Sequence, residues 1–147
     1  MEELFVCAIL FCEGFAAETE YRKELDEQFL ADPENEHLLW LEWETDMKKS
    51  IIYVRNHMDF GDPDGDRIGR ILMERLREIY ESSTDLQSFA DRMYRLWRLL
   101  PGTLQDIDPF RILSYGDEPL SWGDEAQTRS IYEYMFDYYR DLRRPSP

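Results

Sequence analysis

The chain has 147 residues, the length of one ordinary domain, and is 43% hydrophobic and 14% aromatic, too rich in apolar side chains for intrinsic disorder. Its formal net charge of −15 argues against nucleic acid and anionic membrane surfaces, because both repel it. Fourteen Asp and Glu fall in residues 1–46, where Arg22 and Lys23 alone oppose them, so most of the net charge lies in the first third.

In chain order, the first predicted helix runs from Glu3 to Cys12 or Glu13 and stops at Gly14, a residue suited to a left-handed C-cap. It is apolar nearly all round, which places it in the core. Its apolar run Leu4–Cys12 is far shorter than the roughly 20 residues of a membrane span, and the opening Met-Glu-Glu lacks the basic start of a secretory signal. No spanning or export segment is therefore expected. Cys7 and Cys12, five apart on a helix, point in different directions; two free thiols suit a reducing cytoplasm.

A second helix is predicted from Glu18 to Leu30, with Tyr21, Leu25 and Phe29 on one stripe and Glu20, Glu24, Asp26 and Glu27 on its other faces. Asp32-Pro33 reads as a cap and first turn. The stripe Leu39, Trp43, Met47, Ile51, Val54, Met58 then predicts one long helix, or two stacked ones, up to His57. It puts Trp43 in the core and Trp40 beside it, either packed in the core as well or partly exposed among Glu36, Glu42 and Glu44.

Asp62-Pro63 is a second start, before a stripe of Ile68, Ile71, Leu72, Leu76, Ile79 and Tyr80. Thr84 and Gln87 read as a capping box opening a helix with Phe89, Ala90, Met93, Leu96 and Trp97, which Pro101-Gly102 ends. Asp108-Pro109 opens a short helix to about Tyr115. Glu118–Gly123 reads as a loop whose Trp122 folds back as a staple. Asp124 and Gln127 open the last helix, with Ile131, Met135, Tyr138 and Tyr139. The expectation is an all-α fold: a single domain over 1–143 with six to eight helices, and a frayed tail at 144–147. Leu72, Leu76, Phe89, Met93, Trp97, Ile131 and Met135 are expected in the core.

No motif points to catalysis, a cofactor or a metal. Asp62–Asp66 resembles the start of a calcium loop, but its sixth position is Arg67 and its twelfth Met73, so the turn glycine and bidentate Glu are missing. Glu34 and His37 have the Glu-x-x-His spacing of dimetal bundles, but His57 has Val54 where a second pair needs Glu. Ser114 lacks the first glycine of a nucleophile elbow, and Gly61, Gly65 and Gly69 have no following Lys. The fourteen arginines lie mostly beyond residue 54 and read as ion-pair partners for acidic helices.

The acidic first third therefore carries the functional reading. Glu20, Glu24, Glu27, Glu36, Glu42 and Asp46, with Trp40 as an aromatic anchor, form the candidate surface for a basic protein partner, a toxin or nucleic-acid enzyme. In composition the chain resembles two classes of small bacterial protein: immunity proteins that neutralise a toxic enzyme, and DNA mimics. That resemblance implies a non-enzymatic inhibitor and carries no residue assignment. A helical scaffold or adaptor is the alternative, and a small helical enzyme the second.

Overall fold

The structure, a computed structural model, describes residues 1–57 and 65–142. The chain is all-α, with no strand among the described residues. It divides into two compact units, Met1–Pro63 and Asp64–Pro147.

The first unit holds α1 (Glu2–Cys12), α2 (Glu18–Ala31), α3 (Glu36–Trp43) and α4 (Met47–His57). Leu4 to Leu10 are all buried, as an all-round apolar helix requires, and α1 packs against both α2 and α4. Gly14 follows α1 in the left-handed region at φ 77°, and Cys7 and Cys12 form no disulfide. Tyr21 and Leu25 of α2 are fully buried.

Two boundaries differ from the sequence expectation. Asp32 is the C-cap of α2 rather than the start of α3; the N-cap is Asn35, whose side chain accepts from the amides of His37 and Leu38. Asn35 prevails because its side-chain oxygen reaches two otherwise unpaired amides. The long stripe also breaks. Asp46 Oδ1 accepts from Lys48 N at 2.9 Å and starts α4 afresh, after Glu44 leaves α3 in extended geometry. The break turns α3, so Leu38 and Leu41 are buried while Leu39 and Trp43 are exposed. In α4 the stripe holds through Met47, Ile51 and Val54; Met58 lies outside the described residues.

The second unit holds α5 (Asp66–Ser82), α6 (Leu86–Leu99), the short turns α7 (Gly102–Gln105), α8 (Ile112–Tyr115) and α9 (Glu118–Ser121), and α10 (Glu125–Leu142). The Asp62-Pro63 start, most of the Asp62–Asp66 loop and the 144–147 tail lie outside the described residues. α5 begins after Gly65, whose φ is 72°; a Cβ there would stand 2.6 Å from Leu104, so position and conformation both call for glycine. The cap of α6 is Asp85, one residue beyond Thr84, bonded to Gln87 N at 3.1 Å. Asp124 caps α10 through Gln127 N at 3.0 Å, as expected. Glu118–Ser121 is a helical turn rather than a loop. It is tied to α10 because Leu120 N donates to the buried Thr128 hydroxyl at 3.0 Å. Trp122 is 66% exposed and forms no staple.

α10 packs on α5, α8 and α9, and α6 packs on α8. Leu72, Leu76, Phe89, Met93 and Met135 are buried as expected. Trp97 and Ile131 are half-buried instead. Trp97 stays near the surface because its indole N–H donates to Gln105 O at 2.9 Å, while Gln105 Nε2 donates back to Trp97 O at 3.1 Å. The exchange satisfies a terminal carbonyl of α6. Around Phe89 the rings of Tyr80, Tyr132 and Phe136 meet edge-on or tilted, with centroids 5.2–6.5 Å apart.

The ring of Tyr132 joins this cluster, and its hydroxyl is buried without a hydrogen-bond partner among the described residues. An unpaired buried hydroxyl carries a desolvation cost of about 1–3 kcal/mol. Tyr132→Phe is therefore expected to hold or raise stability in a denaturant melt. A loss above about 1 kcal/mol would show that the hydroxyl is bonded after all.

Candidate functional site

The acidic first third carries an exposed apolar groove. Where α2 and α3 meet, Asp26, Phe29, Leu30, Leu39, Glu42 and Trp43 line a groove of about 560 Å³. Leu30 is 77% exposed, Leu39 45% and Trp43 81%. Keeping such side chains in water forgoes about 1.5–3 kcal/mol of burial apiece.

Helix geometry explains the lining. On α3, Leu38 and Leu41 turn inward, which places Leu39, Glu42 and Trp43 on the flank toward α2. On α2, Tyr21 and Leu25 fix the inward face, and Asp26, Phe29 and Leu30 follow on the flank toward α3. The α2–α3 contact then makes the two flanks into one slot.

The carboxyls of Asp26 and Glu42 meet at its rim. Glu42 is held above the usual carboxylate range, first by burial, then by its hydrogen bond to Asp26 and the charge of Asp26, with Arg22 opposing. Arg22 is itself engaged: Nη2 donates to Glu44 O at 3.1 Å, and Nε lies 3.7 Å from Glu18.

A raised folded-state value means the folded chain keeps a proton that the unfolded chain has released. This stabilising contribution is fully present below the unfolded carboxylate range and is lost as pH rises through the folded value. Glu42→Gln removes the loss. The variant should melt above the parent at neutral pH, with the advantage vanishing near about pH 4, where glutamate is itself neutral. An advantage of the same size at both pH values would contradict the pairing with Asp26.

The seven residues singled out from sequence do not form one cluster. Glu42 lines the groove. Glu20, Glu24 and Glu27 run along α2 on a flank roughly 130° around the helix axis from Asp26, Phe29 and Leu30, at 3.6 residues per turn. In that row Glu24 accepts from Gln28 at 3.0 Å and Glu27 lies 3.9 Å from Lys23. Glu36 is exposed at the start of α3, and Asp46 is spent capping α4. Trp40 is 38% exposed and lies flat on Tyr53, with ring centroids 3.9 Å apart and planes 6° from parallel. Tyr53 stacks in turn on His57 at 4.4 Å and meets His37 Nδ1 through its hydroxyl at 3.0 Å. One face of Trp40 is thus already covered. Trp43, expected in the core, is the freer aromatic.

Sequence reasoning missed Asp26, Phe29, Leu30, Leu39 and Trp43 as groove residues. The available signal was Glu44-Thr45-Asp46, an acid-and-hydroxyl run able to cap a new helix and break the stripe.

The arginines of the second unit form a different arrangement. Arg70, Arg77 and Arg140 surround a small pocket of about 130 Å³ between α5 and α10. Asp137 pairs with Arg77 and lies 3.6 Å from Arg140, and Arg70 sits over the Tyr139 ring at 5.2 Å. Acids and an aromatic ring from the same unit already meet these cations, in line with the ion-pair expectation. Among the described residues no group of three His, Cys, Asp or Glu could hold a metal ion, and no helix is long and apolar enough to cross a membrane. The chain matches no family model, curated protein or solved structure.

Proposed function

We propose that this chain is an acidic protein-binding module that works as an immunity or inhibitor protein, occluding a basic partner of nuclease or other toxic type. The observation that carries the reading is an exposed apolar groove whose rim is a carboxyl pair, on a unit that also bears a row of glutamates on another flank of α2. A row such as Glu20, Glu24 and Glu27 repels itself by a few tenths of a kcal/mol per like pair, about 0.2–0.5. The carboxyl pair raises the cost, and the exposed Leu and Trp side chains forgo burial. Gln28 and Lys23 offset part of the cost at Glu24 and Glu27, but nothing local offsets the exposure of Leu30, Leu39 and Trp43, which a cationic, partly apolar partner would cover. Such a surface steers a basic protein to it and speeds encounter. Cys7 and Cys12, which form no disulfide, suit a reducing, cytoplasmic setting.

The test is a binding panel of small basic ribonucleases and deoxyribonucleases, with lysozyme and cytochrome c as inert basic controls. The expected result is submicromolar binding and loss of activity for a nuclease, with the controls at least about tenfold weaker at equal salt. Binding to every basic protein alike would reduce the surface to a nonspecific polyanion. Tight binding without inhibition would favour the adaptor reading, to which the division into two compact units lends support.

A further inference from the structure

We propose that the α2–α3 groove is a receptor slot for one amphipathic helix of a basic partner, with an apolar side chain seated among Leu30, Leu39 and Trp43 and an arginine held by Asp26 and Glu42. This rests on the partner-binding reading and names the segment bound. The slot has room for an anchor: about 560 Å³ lies within the roughly 300–1,000 Å³ of clefts that take a drug-sized ligand, more than one large side chain needs. Its walls are two helix flanks, a groove of the kind that accepts anchors at i, i+3, i+4 and i+7 of an incoming helix. Trp43 is 81% exposed and supplies the large, stiff aromatic surface on which interface energy concentrates.

Charge selects the occupant. Asp26 and Glu42 bring two carboxyl groups together; the charge of Arg22 offsets them only in part, and its guanidinium is engaged by Glu44 O and lies near Glu18. A guanidinium offers a planar fork of donors that satisfies adjacent carboxylates, which an ammonium does less well. A second copy of this chain would set one carboxyl pair and a net charge of −15 against another. An anionic lipid surface is repelled in the same way. A helix carrying both leucine and arginine meets every feature of the slot.

The probes are three synthetic helical peptides of about four turns. The first carries leucine on one face and arginine beside it. The second replaces the arginines with glutamine, and the third replaces the leucines with serine. Calorimetric titration against the full chain should show binding of the first, with the other two weaker by about tenfold or more. Trp43→Ala and Leu39→Ser, both at exposed positions and checked for an unchanged melt, should each lose about tenfold for the first peptide. Asp26→Asn/Glu42→Gln should bind the arginine and glutamine peptides alike.

No binding of the first peptide, or parent-like affinity in Trp43→Ala and Leu39→Ser, overturns the proposal. Self-association of the parent that Trp43→Ala abolishes would make the occupant a second copy and overturn it too. The glutamate row is tested apart. If Glu20→Lys/Glu24→Lys slows capture of a panel nuclease while the groove variants capture it normally, the partner-binding reading stands and the slot fails. Loss in the groove variants with an indifferent glutamate row supports the slot and removes the steering role of the row.

Discussion

Phe89→Ala should cost the second unit about 3–5 kcal/mol, the largest loss expected from a single truncation here. Phe89 is 2% exposed and lies 5.5 Å from Tyr80, 5.4 Å from Tyr132 and 6.4 Å from Phe136, ring centre to ring centre. Removing the ring leaves a cavity among three large side chains from α5 and α10, and helix ends capped by Asp85 and Asp124 resist collapse into it. The edge-on contacts add about 0.5–1.5 kcal/mol per pair beyond the buried area. Chemical denaturation monitored by tyrosine and tryptophan emission would measure the loss. A value under about 1 kcal/mol would mean that the cluster is loosely packed.

Gly69→Ala is the second large effect, and two opposing magnitudes decide its sign. Alanine inside a helix is favoured over glycine by about 0.5–1 kcal/mol. At this position, however, a Cβ would stand 1.8 Å from the Tyr139 hydroxyl oxygen and 2.4 Å from the ring carbon that bears it. Tyr139 is 5% exposed and lies under Arg70, so its rigid ring has little room to swing. Forcing α5 and α10 apart costs about 1–3 kcal/mol, so a net loss is expected. Combining Gly69→Ala with Tyr139→Leu should lose less than the two single changes together, because the shorter side chain vacates the contact. A stability gain in Gly69→Ala alone would refute the close approach of the two helices.

Local rules made much of this legible in the sequence. The all-round burial of α1 follows from its unbroken apolar run, the inward faces of α5, α6 and α10 and the Tyr21 and Leu25 positions of α2 from periodicity within each segment, and the Asp124 cap from its own chemistry. Phe29 of the α2 stripe lines the groove instead. Errors arose where two local signals competed. Asn35 displaced Asp32 as the cap of α3, and Asp85 displaced Thr84, because side-chain oxygens a residue or three apart can serve the same orphan amides. The regular spacing through Leu39, Trp43 and Met47 hid the break at Glu44–Asp46, since a periodic pattern carries no record of a change in helix direction. Trp97 fell short of full burial because its indole N–H needed an acceptor, a demand that a hydrophobic stripe does not express.

The candidate site divided in the same way. The excess of acids in residues 1–46 is visible in composition, and so is the row along α2. The groove is not, because it depends on which flank of α2 faces which flank of α3. That pairing brings Asp26 to Glu42 across sixteen residues and leaves Trp43 in solvent while Trp40 stacks on Tyr53.

On the proposed function, the acidic surface of the first unit meets a basic protein. Stopped flow across a salt series would measure the association rate with a basic nuclease taken from the binding panel, for the parent and for Glu20→Lys/Glu24→Lys. The predicted result is slower association and a flatter salt dependence in the variant, with thermal stability unchanged or higher because self-repulsion is relieved. Equal rates and equal salt slopes for the two proteins would contradict the claim and leave the glutamate row a solvated helix face.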